Sequence, residues 1–283
     1  MNTNEVLIQR DIVYANHYNY YTNEQEDLKL DIYTPQNATA HPLVVLAHGG
    51  GFRGGDKRVF LATATYLASQ GYIVASMTYR LGWQENLTSG DCQGEKKDLV
   101  RAWYNAMQDM STALNYLVNT YEVVDTQNIF IGGSSAGASI GMALAYYSQG
   151  VIDNRLPFLK QRYGAIPAIP IAVKGVIALW GGILSIGHIT NPPPTLFLHG
   201  KLDEDIPYAI GKYKGCANYV RLYGAKKIAQ QLNQLETATH VYIKNNAKHG
   251  HGYWTEQEKQ YYILTFLEEV INNTLTSSVS IHN

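Results

Sequence analysis

The sequence has 283 residues and a formal net charge of −1, with 46% hydrophobic and 16% charged residues. This composition is typical of a globular protein and excludes a disordered or low-complexity chain. The near-zero charge, together with the lack of a long Lys or Arg run, argues against a nucleic acid as partner.

A single catalytic domain over residues 1–283 is predicted, because no repeat or linker-like stretch divides the chain. The N-terminal segment lacks an apolar core of signal-peptide length, and no apolar stretch is long enough to span a bilayer. We therefore expect a soluble protein without a membrane partner. Both a cytoplasmic and a secreted location stay open, since a mature secreted chain would look the same, and the oligomeric state is not determined.

Apolar runs alternate with helix-like segments, which predicts an α/β fold with a mostly parallel sheet of about eight strands and helices on both faces. The predicted strands cover Val6 to Tyr14, Leu28 to Tyr33, and residues 42–47, 72–77, 128–132, 174–180, 195–200 and 240–244. The predicted helices cover Lys57 to Gln70, Asp98 to Tyr121, Ala136 to Ser148, Ala225 to Leu235 and Glu256 to Ile271.

Three consecutive glycines, Gly49 to Gly51, follow His48 and the strand at 42–47. Without a Cβ atom they let the backbone approach a substrate oxygen, and their N–H groups can act as oxyanion donors. A flexible turn without function is the alternative. We interpret His48 as a brace for this loop, because a catalytic base has to lie across from the nucleophile.

The strongest local signal is a G-x-S-x-G pentapeptide, Gly133 to Gly137, centred on Ser135. A nucleophilic serine projects from a sharp strand-to-helix turn, whose strained backbone requires small residues two positions before and after it. An apolar strand precedes this motif and an Ala-rich helix follows it. We therefore predict Ser135 as nucleophile and the Ala136 amide as an oxyanion donor, with a Gly/Ser-rich turn as the alternative.

Residues 154–172 form an irregular connection that contains Pro157, Pro167 and Pro170. A connection of this length at the rim of a sheet is either a functional lid or a surface segment, and the sequence leaves both open. The polar residues 274–283 are interpreted as a tail.

A candidate acid follows the strand at 195–200, since Asp203 lies three residues after Gly200. A carboxylate at the C-terminal end of a late strand can reach a histidine on the next loop. Glu204 and Asp205 are the nearby rivals.

The turn after the last strand carries two candidate bases, His249 and His251. We prefer His251, which has glycine on both sides, and keep His249 as the alternative. The H-x-H spacing does not predict a metal site, because no further ligands cluster there. The order Ser135, Asp203, His251 matches the nucleophile–acid–base order of α/β-hydrolases, and each residue follows the C-terminal end of a predicted strand.

Together, the segments HGGGF, GGSSAGA, LHGKLDEDIP and HGHGYW resemble the esterase/lipase-like branch of the α/β-hydrolase superfamily, over about residues 28–267. The chain is similar to compact bacterial esterases, including carbohydrate-acetyl and feruloyl esterases. It is also similar to hormone-sensitive-lipase-type esterases, but without the helical cap that those carry before HGGG. The resemblance implies Gly50, Gly51 and Ala136 as oxyanion donors.

Residues and resemblance together predict a serine esterase that needs no cofactor and forms an acyl-enzyme. The expected substrates are small-molecule or carbohydrate esters with short acyl, acetyl or feruloyl groups. An aryl-formamidase or a peptidase on the same triad is the alternative, while a binding module would be expected to lose Ser135 or its histidine. Four aromatic residues are candidates for the substrate pocket: Phe52, Trp83, Trp180 and Tyr253.

The two cysteines, Cys92 and Cys216, lack a C-x-x-C spacing, and two separate thiols are the preferred interpretation. A disulfide is the alternative, because both loops are expected at the C-terminal edge of the sheet. Such a bridge would close a loop of more than a hundred residues and would favour an exported protein.

Overall fold

The computed structural model describes residues 5–36, 39–83, 92–169 and 171–283. Within these residues the strands are β1 (Val6–Asn19), β2 (Glu24–Pro35), β3 (His41–Ala47), β4 (Ile73–Met77), β5 (Val124–Ser134), β6 (Gly175–Leu179), β7 (Gly182–Ile183), β8 (Thr195–Gly200), β9 (Ile210–Lys212), β10 (Arg221–Gly224), β11 (Thr239–Lys244) and β12 (Ser278–His282). The α-helices in the same residues are α1 (Leu61–Ser69), α2 (Lys96–Thr120), α3 (Ala136–Tyr146), α4 (Gln149–Arg155), α5 (Pro157–Tyr163), α6 (Ala225–Gln234) and α7 (Glu256–Ile271).

Among the described residues, nine strands form one sheet in the order β1-β2-β4-β3-β5-β6-β8-β11-β12. Strand β2 pairs antiparallel with β1 and β4, whereas the neighbours from β4 to β12 are parallel. The predicted mostly parallel sheet is confirmed, with nine strands where about eight were expected. A small antiparallel sheet, β7-β10-β9, adjoins the turns that follow β6 and β8.

Strand β3 shows why the apolar runs are continuous. Its side chains alternate between two separate cores: Leu43, Val45 and Ala47 pack on the side of α2, α3 and α6, and Val44 and Leu46 pack on the side of α1 and α7. All five are fully buried, and burying a side chain of the size of valine or leucine contributes about 1.5 to 3 kcal/mol. The predicted helices on both faces are thus confirmed.

The helix predicted from Lys57 begins as a 3-10 turn, and α1 starts only at Leu61. The reason lies in the buried Lys57 side chain, whose Nζ pairs with Asp31 at 2.7 Å and Asp11 at 2.9 Å. These ion pairs hold the turn against β1 and β2, so the first residues serve that contact instead of a regular helical turn.

The segment 154–172 contains the end of α4, the helix α5 and a following stretch that is hydrogen-bonded to α2; its Pro170 lies outside the described residues. Tyr104 Oη donates to the Gly164 carbonyl at 2.7 Å, and Ser111 Oγ donates to the Pro167 carbonyl at 2.6 Å. These contacts hold the segment against the flank of α2. Both interpretations of the segment, a lid and a surface segment, stay predictions.

Residues 274–283 are not a free tail, so that interpretation is wrong. Ser278 to His282 form β12 and pair in parallel with β11, and the Asn245 N–H donates to the His282 carbonyl at 2.9 Å. The open edge of β11 presents unpaired backbone groups, which a short polar strand can satisfy. Five residues are too few for their alternation to stand out in the sequence.

Cys92 and Cys216 form a disulfide with Cα atoms 5.3 Å apart and a sequence separation of 124 residues. The preferred interpretation of two separate thiols is therefore wrong, and the alternative is confirmed. The bridge ties the segment before α2 to the turn between β9 and β10. In the chain-entropy model, closing a loop of this length stabilises the fold by roughly 5 kcal/mol.

Candidate active site

Ser135 lies between β5 and α3 in a backbone conformation that few non-glycine residues adopt, with φ 53° and ψ −114°. Its N–H donates to the Leu179 carbonyl at 2.8 Å, which ties the strained turn to β6. A Cβ atom at Gly133 or at Gly137 would lie 1.9 Å from the Ala47 carbonyl oxygen. Glycine is therefore required on both sides of Ser135, because α3 starts directly against the end of β3.

A single histidine connects Ser135 with Asp203. His249 Nε2 lies 2.8 Å from Ser135 Oγ, and His249 Nδ1 lies 2.7 Å from Asp203 Oδ2. The other carboxylate oxygen of Asp203 accepts hydrogen bonds from the backbone N–H groups of Asp205 at 3.0 Å and Ile206 at 2.8 Å. The carboxylate is thereby held in the orientation that meets the imidazole.

The preference for His251 over His249 is wrong. The chain turns at Gly250, with φ 106°, and enters a 3-10 turn at His251. The His251 ring lines the same cavity as Ser135, but the hydrogen bonds to Ser135 and Asp203 come from His249. The His251 ring packs edge-on against Trp180, with centroids 4.7 Å apart, and its Nδ1 accepts from Lys259 Nζ at 3.3 Å. The flanking glycines thus serve the turn and do not indicate which histidine is the base.

His251 and Asp203 each have a lowered pKa, but for different reasons. Burial lowers the pKa of His251 to about 4, and the neighbouring Lys259 ammonium adds to the effect. For Asp203, burial alone would raise the pKa, but hydrogen bonds from His199 and His249 outweigh it and hold the pKa at about 2. Asp203 is therefore a carboxylate, and His251 is neutral, over the ordinary pH range.

A further histidine, His199, was missed by the sequence reasoning. Its ring is buried at the end of β8, with Nε2 2.9 Å from the Ile206 carbonyl and 3.4 Å from Asp203 Oδ2. It therefore supports both the carboxylate and the turn that carries it. The available signal was a histidine at the end of an apolar strand, four residues before the candidate acid.

The glycine loop after β3 borders Ser135, as predicted. Gly50 has φ 114° and Gly51 has φ 62°, and a Cβ atom on Gly50 would lie 2.0 Å from the Gly54 carbonyl oxygen. Both glycines line a cavity together with Ser135, and Ala136 lines a second one. Their backbone groups are thus near the place where a substrate carbonyl would meet Ser135 Oγ.

His48 begins this loop and lines the same cavity as Ser135, but its ring hydrogen bond goes to the loop itself. Its Nδ1 donates to the Gly49 carbonyl at 2.6 Å, and its ring stacks on Tyr79 with centroids 4.5 Å apart. The Tyr79 hydroxyl in turn donates to the His48 carbonyl at 2.9 Å. Burial lowers the pKa of His48. This geometry is that of a brace for the loop.

Two cavities meet at Ser135. The outer cavity has a volume of about 380 Å³ and is lined by polar and charged groups such as Arg53, Asp205, Lys214 and His249. The inner cavity holds only about 20 Å³ and lies among apolar side chains, including Trp103, Leu99 and Leu222. None of the described residues of 154–172 lines either cavity.

Two of the four predicted pocket residues line these cavities: Trp180 the outer one and Phe52 the inner one. Trp83 lines neither, because its ring is buried under the Arg53 guanidinium, 5.4 Å from its centroid, and against Tyr219. Tyr253 is 39% exposed on the turn beyond His251, where its carbonyl accepts from Lys244 Nζ at 2.9 Å. The pocket predictions for Trp83 and Tyr253 are therefore wrong.

Comparison with known proteins places this arrangement in a family. Residues 30–183, more than half of the chain, match the sequence profile of the BD-FAE family. Thermogutta terrifontis esterase 2, solved as its paraoxon-phosphorylated form, superposes with a TM-score of 0.66 at 18% identity, over 96% of both chains. Esterase B from Lactobacillus rhamnosis superposes with a TM-score of 0.60 at 17% identity, over 95% of this chain and 87% of that one. The predicted α/β-hydrolase fold is thereby confirmed.

Curated relatives share only parts of their length with this chain. Gut esterase 1 of Caenorhabditis elegans is 33% identical over 128 residues, which is 43% of this chain and 21% of that protein. The neuroligin-like protein glit-1 of the same organism is 33% identical over 125 residues, which is 42% of this chain and 16% of that protein. The chain thus spans about a fifth or less of these relatives. No helix in the part of the chain that the structure describes is long and apolar enough to cross a membrane.

Proposed function

Since this chain belongs to the BD-FAE family, we propose that it is a serine hydrolase that cleaves carboxylic esters. The observation that carries the proposal is the continuous hydrogen-bonded row Ser135–His249–Asp203, with distances of 2.8 Å and 2.7 Å. Serine and imidazole within about 2.6 to 3.2 Å, with the imidazole oriented by a third group, is the arrangement that activates a hydroxyl nucleophile.

In the proposed reaction, His249 Nε2 takes the proton of Ser135 Oγ while Oγ attacks the ester carbonyl. The backbone amides of Gly50, Gly51 and Ala136 then stabilise the negative oxygen of the tetrahedral intermediate. As the intermediate collapses, the bond between the carbonyl carbon and the alcohol oxygen breaks, and the imidazolium, stabilised by the Asp203 carboxylate, gives its proton to the leaving alcohol. An acyl-enzyme on Ser135 Oγ remains. A water molecule, activated by the same imidazole, releases the acid and restores Ser135.

The inner cavity supports a short acyl group. Its volume of about 20 Å³ is close to the space that one water-sized group needs, which is on the order of 10 to 15 Å³. We propose that an acetyl methyl lies there beside Trp103 and Phe52, because a feruloyl ring needs far more space than this volume offers. Between the two acyl groups expected from the sequence, we therefore favour acetyl.

The outer cavity supports a polar alcohol portion. It is larger, about 380 Å³, and combines the Trp180 ring with charged groups from Arg53, Asp205 and Lys214. A few polar groups around an aromatic surface can orient a hydroxyl-rich alcohol such as a sugar. The proposed substrate class is therefore an acetyl ester of a carbohydrate or another small polyol.

The test compares wild type, Ser135→Ala and Ser134→Ala on p-nitrophenyl acetate, butyrate and octanoate, on an aryl formamide and on a peptide anilide. Ser135→Ala should lower kcat by about 10⁴ to 10⁶. The neighbouring Ser134→Ala should stay within about tenfold of wild type, since its hydroxyl has no partner among the described residues.

Wild-type rates should fall from acetate to octanoate and should be higher on esters than on the formamide or anilide. A folded Ser135→Ala protein with unchanged turnover would refute the nucleophile. Rates that rise towards octanoate would refute only the short-acyl assignment. Faster turnover of the formamide would establish the formamidase alternative.

A further inference from the structure

An apolar cavity of about 350 Å³ lies apart from Ser135, between α2, α4, α5 and the segment after β7. We call it the α2 chamber. Its walls include Val100 and Met107 of α2, Val151 of α4, Leu159 of α5 and Leu184. This volume is within the range of small-molecule sites, about 300 to 1,000 Å³. Trp103 and Val220 also border the inner cavity, and the other lining residues take no part in the reaction proposed above.

The rim of the α2 chamber carries positive charge. Lys96, Arg155 and Arg221 are its cationic lining residues, and no Asp or Glu is among its described lining residues. Within the described residues, no carboxylate lies within 4.0 Å of the Lys96, Arg155 or Arg221 charge. Lys160 of α5, which does not line the chamber, differs in this respect, because its ammonium pairs with Asp153 of α4 at 2.8 Å. The guanidinium of Arg155 instead contacts the His188 ring.

These two features define the ligand chemistry. Apolar walls disfavour a ligand that is charged or hydroxyl-rich throughout, because its polar groups would lose their hydrogen bonds to water. Cations at the rim favour a carboxylate, which guanidinium groups bind through paired charge-assisted hydrogen bonds. We propose that the α2 chamber binds an amphipathic carboxylate, with its aliphatic chain along α2 and α5 and its head group at Arg155 and Arg221.

The chamber shares a wall with the inner cavity of the active site. Trp103 and Val220 line the α2 chamber and also the inner cavity beside Ser135. The Trp103 ring stacks on Phe52, with centroids 5.6 Å apart, and its Nε1 donates to the Ser139 carbonyl at 3.2 Å. A carboxylate in the chamber would therefore contact the wall that limits the acyl group.

The experiment measures binding of decanoate, below its micelle-forming concentration, to the full chain by isothermal titration calorimetry. Decyltrimethylammonium, which carries the opposite charge on the same chain, is the matched ligand. We expect saturable binding of one decanoate and at least tenfold weaker binding of the cation. The double variant Arg155→Gln/Arg221→Gln should weaken decanoate binding at least tenfold. Arg162→Gln, an exposed arginine of α5 outside the chamber lining, should leave it unchanged.

Val151→Trp adds the position control, since an indole at this half-buried residue would fill the chamber and should abolish decanoate binding. Circular dichroism and thermal unfolding establish that each variant is folded. The proposal is overturned if decanoate does not saturate, if both ligands bind equally, or if Arg162→Gln weakens binding as much as the double variant. It is also overturned if folded Val151→Trp binds decanoate as wild type does, because the ligand would then lie elsewhere. Binding is measured without turnover, so the result does not depend on the proposed esterase activity.

Discussion

One turn carries two histidines that line the same cavity, in two regions of it with different partners. His249 reaches the polar cavity, where a serine hydroxyl lies on one side of the ring and a buried carboxylate on the other. His251, two residues later, lies in an aromatic pocket between Phe60 and Trp180, with the Lys259 ammonium at its Nδ1. The first ring can both receive a proton and be stabilised once it carries one. The second ring has no carboxylate at hydrogen-bond distance among the described residues.

The difference shows that the hydrogen-bond partners of a histidine, and not its accessibility, determine whether it can act as a general base. The glycines on both sides of His251 predicted a more accessible and mobile ring, but a general base does not require mobility. Catalysis requires a fixed imidazole whose second nitrogen faces a carboxylate. In this protein the positive φ of Gly250 separates the two rings, so that only His249 meets both Ser135 and Asp203.

Alanine substitution of each histidine gives the largest expected contrast. His249→Ala should lower kcat on p-nitrophenyl acetate by about 10⁴ or more, because Ser135 loses its base. His251→Ala should stay within about tenfold of wild type, since its ring contacts neither Ser135 nor Asp203. The proposal that His249 is the base is contradicted if folded His251→Ala is inactive and His249→Ala turns over at the wild-type rate.

Asp203→Asn tests the carboxylate that distinguishes the two regions. An amide in place of the carboxylate cannot stabilise the imidazolium and favours the wrong tautomer, so kcat should fall by about 10³ to 10⁴. Glu204→Gln is the matched control, because Glu204 is exposed and lies 3.8 Å from the Lys248 ammonium. Equal rates for both variants would show that the buried carboxylate has no catalytic role.

The acid stability of the protein should report on His251, and this is the smallest of the three effects. Its pKa is lowered from 6.5 to about 4 in the folded state, so the unfolded chain takes up this proton first. The corresponding stability is fully present above pH 6.5 and is lost as the pH falls towards 4. His251→Gln, whose amide oxygen can still accept from Lys259, should remove on the order of 2 kcal/mol of that acid sensitivity.

Urea unfolding of both proteins between pH 7 and pH 4.5 measures this difference. The window excludes Asp203, whose pKa of about 2 lies below its ordinary 3.8, so its stabilising effect is lost only as the pH falls through 3.8 towards 2. Identical pH profiles for wild type and His251→Gln would mean that the aromatic pocket does not disfavour the protonated ring.

Local sequence was sufficient to predict those features that depend on one strand or helix and the turn beside it. The continuous apolar runs indicated strands buried on both faces, and glycines at 133 and 137 indicated the turn that exposes Ser135. The structure gives these glycines a concrete reason, since any side chain there would collide with the Ala47 carbonyl. The position of Asp203 after an apolar strand was sufficient to predict it as the candidate acid. The contact of His199 with Asp203 was not predicted.

Only the tertiary structure decided which histidine meets Ser135, because the two candidates are two residues apart and the chain turns at Gly250, with φ 106°, between them. The disulfide also required it, since Cys92 and Cys216 are 124 residues apart and no local pattern reports that their Cα atoms approach to 5.3 Å. Strand β12 was similarly hidden, because its five residues are held by the open edge of β11 and not by their own pattern. Sequence alone thus determined the fold class and indicated the candidate nucleophile and acid, whose signals lie within one strand and its following turn. The candidate base depended on distances that only the folded chain creates.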